Sequence, residues 1–170
     1  MPISKLLRSS APPAPSLYFT FVSFVGTLLA IGVTGWLSHV SGTPWLMASF
    51  GASCVLAFGV PDSPLAQPRS IIGGHLISTA VGLLILHTLG NAWWAGAIAV
   101  GLALAVMQQT RTLHAPAGAN PLVVISAGAS FSFLLTPVLI GSLVIVAVAW
   151  VINNARHRNS YPKYWLVGLR

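Results

Sequence analysis

Six apolar stretches, separated by short polar or proline-rich turns, dictate the solvent of this 170-residue chain. They run Leu17 to Val40, Pro44 to Val60, Ser70 to Leu89, Ala92 to Thr110, Pro121 to Leu135 and Pro137 to Asn153. A hydrocarbon core about 30 Å thick needs roughly 20 apolar helical residues, and several of these stretches reach that length. The chain carries eight Lys or Arg and a single acid, whereas a soluble domain charges roughly a quarter of its residues. A water-facing surface cannot be built from so few charges. The expected class is an all-α integral membrane protein whose first partner is the lipid bilayer.

The distribution of the charges predicts the topology. If all six segments cross, beginning in the cytoplasm, the inner pieces hold Lys5, Arg8, Arg69, Arg111, Arg156, Arg158, Lys163 and Arg170, every basic residue of the chain. The outer turns near Ser41, Asn91 and Thr136 carry no charge, as the positive-inside bias requires. The net charge of +7 is thus explained without nucleic acid, which is excluded as a partner because no cations gather on a soluble surface. Trp36, Trp45, Trp93, Trp94 and Trp150 fall near segment ends and read as an interfacial belt, with Tyr161, Tyr164 and Trp165 at the cytoplasmic interface.

An internal repeat divides the chain. Thr43-Pro44-Trp45-Leu46-Met47-Ala48-Ser49-Phe50-Gly51-Ala52-Ser53 matches Asn120-Pro121-Leu122-Val123-Val124-Ile125-Ser126-Ala127-Gly128-Ala129-Ser130 in Pro, Ser, Gly, Ala and Ser at equal spacing. Each stretch opens on a capping-type residue followed by proline, a helix-start signal. Each is the middle helix of a set of three, so the second set enters from the opposite side. The expectation is six transmembrane helices in two inverted three-helix repeats, an architecture of transporters with sites near the midplane. The units are 1–16 (cytoplasmic segment), 17–90 and 91–155 (repeats) and 156–170 (basic, aromatic tail), with both termini cytoplasmic.

Candidate site residues follow from this frame. Ser49, Gly51 and Ser53, with Ser126, Gly128 and Ser130, approach the bilayer middle from opposite faces; they also suit simple helix packing. Arg69 precedes the third segment, and Arg111 and His114 precede the fifth, where helix N-termini favour anions. His75 lies about one turn into the third segment, and Gln67 adds a neutral donor. Arg69 and Arg111 equally serve as topological cations. The sole acid, Asp62, sits in a loop, so the intramembrane carboxylate usual in cation carriers is missing. One cysteine (Cys54) and five scattered histidines form no metal-ligand pattern, and no nucleophile–base–acid constellation points to an enzyme. No catalytic residue, metal or cofactor is expected.

Ser49-Phe50-Gly51-Ala52-Ser53, Ser63-Pro64-Leu65-Ala66-Gln67-Pro68-Arg69, Gly73-Gly74-His75 and His114-Ala115-Pro116-Ala117-Gly118-Ala119 together resemble the HPP family of integral membrane proteins. The resemblance covers roughly Trp36 to Val148. The His-Pro-Pro motif that names the family reads His114-Ala115-Pro116 here. The family includes proteins implicated in nitrite transport, so the resemblance implies a transporter or channel for a small inorganic anion, nitrite first. The alternatives left open are a non-transporting scaffold or accessory subunit, and a carrier of another small solute. A homo-oligomer in a bacterial inner membrane is the expected setting.

Overall fold

The computed structural model describes residues 12–165, and among them every regular element is helical. Six α-helices follow in order: α1 (Leu17–Ser41), α2 (Ala48–Gly59), α3 (Pro68–Leu89), α4 (Trp93–Gln109), α5 (Asn120–Ala127) and α6 (Ile140–Arg156). Short 3₁₀ turns at Pro64–Ala66 and Ala115–Ala119 lead into α3 and α5. The expected tail beyond Trp165 and the expected cytoplasmic segment before Pro12 lie outside the described residues.

Three stretches are long and apolar enough to cross a membrane: Leu17–Ser41, Pro68–Leu89 and Phe131–Arg156. The others are shorter. At 1.5 Å per residue, the 12 residues of α2 rise roughly 18 Å, and the eight of α5 roughly 12 Å. The fifth apolar segment, expected to run from Pro121 to Leu135, stops as an α-helix at Ala127 because Gly128 takes a left-handed conformation (φ 57°) that caps it. The chain then re-enters helix through a 3₁₀ turn at Phe131–Leu134 and a kink at Thr136, so the last apolar helical run begins before the Pro137 boundary expected from sequence.

Burial explains the arrangement. α1 hides only Gly26, Ala30 and Thr34, one small residue per turn, while Tyr18, Phe21, Phe24 and Leu28 face outward. Small residues at four-residue spacing let membrane helices approach closely, and the outward aromatics suit lipid. α1 packs on α2 and α6, whereas α3 lies at the centre, touching α4, α5, α6 and the Ala115 turn. Phe50, Phe58, Ile71, Val138 and Ile145 fill the main core, and an alanine ladder, Ala95, Ala99 and Ala103, seats α4 beside Val81 and Ile85.

Two aromatic expectations are corrected. Trp45 is buried, its indole N–H donating to Ser41 Oγ at 2.9 Å, because the turn after α1 folds over it. Tyr161 is also buried rather than interfacial. Its hydroxyl donates to Ala66 O at 2.8 Å, while Lys163 N–H donates to Gln67 Oε1 at 2.8 Å and Lys163 Nζ pairs with Asp62 at 2.9 Å. The tail is folded back onto the α2–α3 loop. Burial raises the Tyr161 phenol above its ordinary pKa.

Candidate functional site: a buried histidine–serine–histidine chain

Gly73 and Gly74 make the site possible. A Cβ on Gly73 would lie 2.8 Å from Thr112 Cγ2, and one on Gly74 would lie 2.6 Å from His114 Cβ. Without side chains on the first turns of α3, the segment Thr112–His114 can lie flat against that helix. Arg69, one turn earlier, fixes the same segment from outside: its Nη2 donates to Thr110 O at 2.8 Å and its Nε to Arg111 O at 3.2 Å. Arg111 itself is exposed in a left-handed turn (φ 57°). A guanidinium on the carbonyls following α4 also complements the negative end of that helix.

This docking carries His114 inward beside His75. Both rings are fully buried, with centroids 4.9 Å apart. Ser53, from the middle of α2, lies between them: its Oγ is 2.8 Å from His75 Nε2 and 2.7 Å from His114 Nε2. His114 Nδ1 lies 2.7 Å from Leu65 O, and Asn120 Nδ2 lies 3.0 Å from His75 Nδ1. Asn120 Nδ2 also reaches Thr79 Oγ1 at 2.9 Å and His75 O at 3.3 Å.

The partners assign the protons. Leu65 O only accepts, so His114 carries its proton on Nδ1 and presents Nε2 as an acceptor. The Asn120 amide nitrogen donates to His75 Nδ1, which places the His75 proton on Nε2, aimed at Ser53. The Ser53 hydroxyl then donates to His114 Nε2. One directed chain runs from Asn120 through His75, Ser53 and His114 to Leu65. The single hydroxyl proton has a second acceptor, Ser49 O at 2.8 Å, so the middle link has an alternative within its own helix. Two polar atoms beside the chain, Ser49 Oγ and Asn120 Oδ1, are buried with no hydrogen-bond partner among the described residues. Phe50 closes one side, its ring edge-on to His75 at 5.2 Å.

Of the residues expected from sequence, the structure therefore brings together His75, His114, Ser53 and Ser49. Gly51 borders open space on α2. Gln67 is fully buried but holds the loop, donating to Pro61 O and Ser63 O at 2.9 Å each. Ser126, Gly128 and Ser130 lie on the exposed surface, and Ser130 Oγ bonds Ser132 Oγ. The repeat partners Ser53 and Ser130 thus occupy opposite environments, because α2 continues helically through Gly51 and α5 ends at Gly128. Sequence reasoning read Asn120 only as a helix cap and passed over Thr79. The signal for Thr79 was its position four residues after His75, on the same helix face.

A helical bundle with lipid-length apolar spans and a polar chain sealed in its interior defines an integral membrane protein. The chain belongs to the HPP family: the family model for its transmembrane region matches residues 12–162. Two Dictyostelium discoideum proteins, each described as a transmembrane protein, are similar to it. One is 37% identical over 170 residues, covering 93% of this chain and 60% of its own length. The other is 36% identical over 151 residues, covering 84% of this chain and 49% of its own length. The chain spans about half to three-fifths of the length of these curated relatives. No solved structure matches it.

Proposed function

We propose that this protein passes a small inorganic anion across a membrane, with nitrite the first candidate, and that the His75–Ser53–His114 chain is the closed constriction of the path. The observation that carries this reading is the convergence of three buried hydrogen-bonding side chains from three separate segments within an apolar bundle. Ionisable residues at membrane depth are functional by default because they are costly to keep there. An anion needs N–H and O–H donors; His75 Nε2–H and the Ser53 hydroxyl supply them, and His114 Nε2 becomes a third when protonated. The sole carboxylate, Asp62, stands in the loop paired with Lys163, so no fixed negative charge opposes an anion at the constriction.

In this reading Arg111, exposed beside the docked His114 segment, attracts the anion, and Arg69 holds the vestibule wall. The six apolar segments cross as inverted repeats with both termini cytoplasmic, α2 and α5 being the short middle helices and α5 alone ending at its glycine, Gly128. A homo-oligomer would shield these short helices from lipid.

A non-transporting scaffold is the second reading. It is favoured by the completeness of the chain, in which every histidine ring nitrogen already has a partner. Anion flux into liposomes holding the purified protein decides between them, with nitrite, nitrate, formate and chloride compared. Nitrite flux above empty liposomes, altered in Ser53→Ala, supports the permease. Folded protein that passes none of the four anions would sink it in favour of the scaffold.

A further inference from the structure

The opposite feature of the sealed histidine chain is an incomplete one. Arg156, the last residue of α6, is nine-tenths buried, yet its Nε and Nη1 have no hydrogen-bond acceptor among the described residues. Its Nη2 donates to Ser23 Oγ at 3.0 Å, and its guanidinium lies 3.9 Å above the Phe19 ring. Ser23 in turn is fixed by Phe58 O at 2.8 Å. The side chain is therefore oriented from two sides, and its Nε and Nη1 are buried without a partner among the described residues.

An arginine cannot shed its charge, and a buried cation without a counter-charge is costly. The chain's one acid does not answer it. Asp62 lines the same cavity, of about 200 Å³, but pairs with Lys163 and is largely exposed. Asn153, also on the cavity wall, donates its Nδ2 to Ala57 O at 3.0 Å and leaves its buried Oδ1 without a donor. The residues of the cavity wall thus hold unpaired cationic donors together with one unpaired acceptor, buried just behind its surface. His157 and Ser160 complete the polar side, and Phe19 the apolar side.

We infer that this cavity, between the start of α1 and the end of α6, binds a phosphate group carrying a neighbouring hydroxyl. The phosphate oxygens take Arg156 Nε and Nη1 once the guanidinium edge turns toward the cavity, and the hydroxyl donates to Asn153 Oδ1. Its place at the ends of two long apolar helices is the level of lipid headgroups, where basic pockets between helices hold anionic lipids. Hydrogen phosphate offers the same chemistry from solution. The inference is independent of what the protein transports.

The test is the thermal stability of the purified protein in neutral detergent, titrated with phosphatidylglycerol, phosphatidylcholine or inorganic phosphate. The site predicts a saturable rise in Tm with phosphatidylglycerol and none with phosphatidylcholine. Arg156→Gln, which keeps the hydrogen-bonding stem and removes the charge, shifts the half-effective concentration upward by tenfold or more. Arg158→Gln, one cation removed at the same end, shifts it by no more than about fivefold, the worth of a general charge at an anionic surface. Asp62→Asn removes the competing negative charge and lowers the half-effective concentration, a readout that stands even if Arg156→Gln does not fold. An equal rise with inorganic phosphate alone assigns the site to free phosphate. No rise with either phosphate source overturns the site, and so does a rise with phosphatidylglycerol that Arg156→Gln and Arg158→Gln weaken equally.

Discussion

Gly74 and His114 are in such close register that a methyl group on the glycine would sit 2.6 Å from His114 Cβ and 2.9 Å from Thr112 O. The rest of the histidine chain depends on this approach, because it sets the depth of the His114 ring between Ser53 and Leu65.

Gly74→Ala should therefore push the Thr112–His114 segment away from α3. Overpacking of this kind costs about 1–3 kcal/mol. A thermal-unfolding scan should show the loss, and the nitrogen resonances of His114 should report a broken bond to Ser53. An unchanged Tm with unchanged histidine resonances would contradict the close packing.

Ser53→Ala removes the one hydroxyl that serves both rings and leaves two buried Nε2 atoms without their partner. A buried polar group stripped of its hydrogen bond costs about 1–3 kcal/mol. Its repeat counterpart Ser130→Ala acts at an exposed site and should stay within about 0.5 kcal/mol of wild type. Equal effects of the two substitutions would show that the repeat partners share an environment after all.

Arg69→Lys separates charge from geometry. The ammonium keeps the positive charge but cannot reproduce the fork that spans Thr110 O and Arg111 O. Stability should fall by about 1 kcal/mol, the worth of one lost hydrogen bond, while any anion flux at low ionic strength persists. Loss of flux with unchanged stability would instead assign Arg69 directly to the path.

Ala115→Pro tests the 3₁₀ turn that follows His114. Ala115 opens the 3₁₀ turn, where proline is tolerated, and His114 before it is already extended (φ −137°, ψ 104°), as a residue preceding proline prefers. The substitution should leave the fold intact and raise stability by about 0.4–1 kcal/mol through the unfolded chain. A drop in Tm would mean that the turn had adapted to alanine.

The membrane class was legible because apolar length and the scarcity of charge are local properties. The inequality of the repeats was not. Ser53 and Ser130 sit in matching sequence contexts, and what separates them is the backbone sign at Gly128 against the helical one at Gly51, which pattern alone does not encode. Asn120 looked like a cap because Asn-Pro starts helices, yet its amide is turned inward to His75. Arg156 was read with its neighbours as one more inner cation. Its burial comes from Ser23 and Phe19, residues more than 130 positions away, beyond any local signal.

Adjacent carbonyls of the α2–α3 loop hold two distant parts of the chain. Leu65 O accepts from His114 inside the bundle, and Ala66 O accepts from Tyr161 in the tail. The two peptide planes meet at the Ala66 Cα, so the bond that holds the tail and the bond that orients the His114 ring share one backbone pivot.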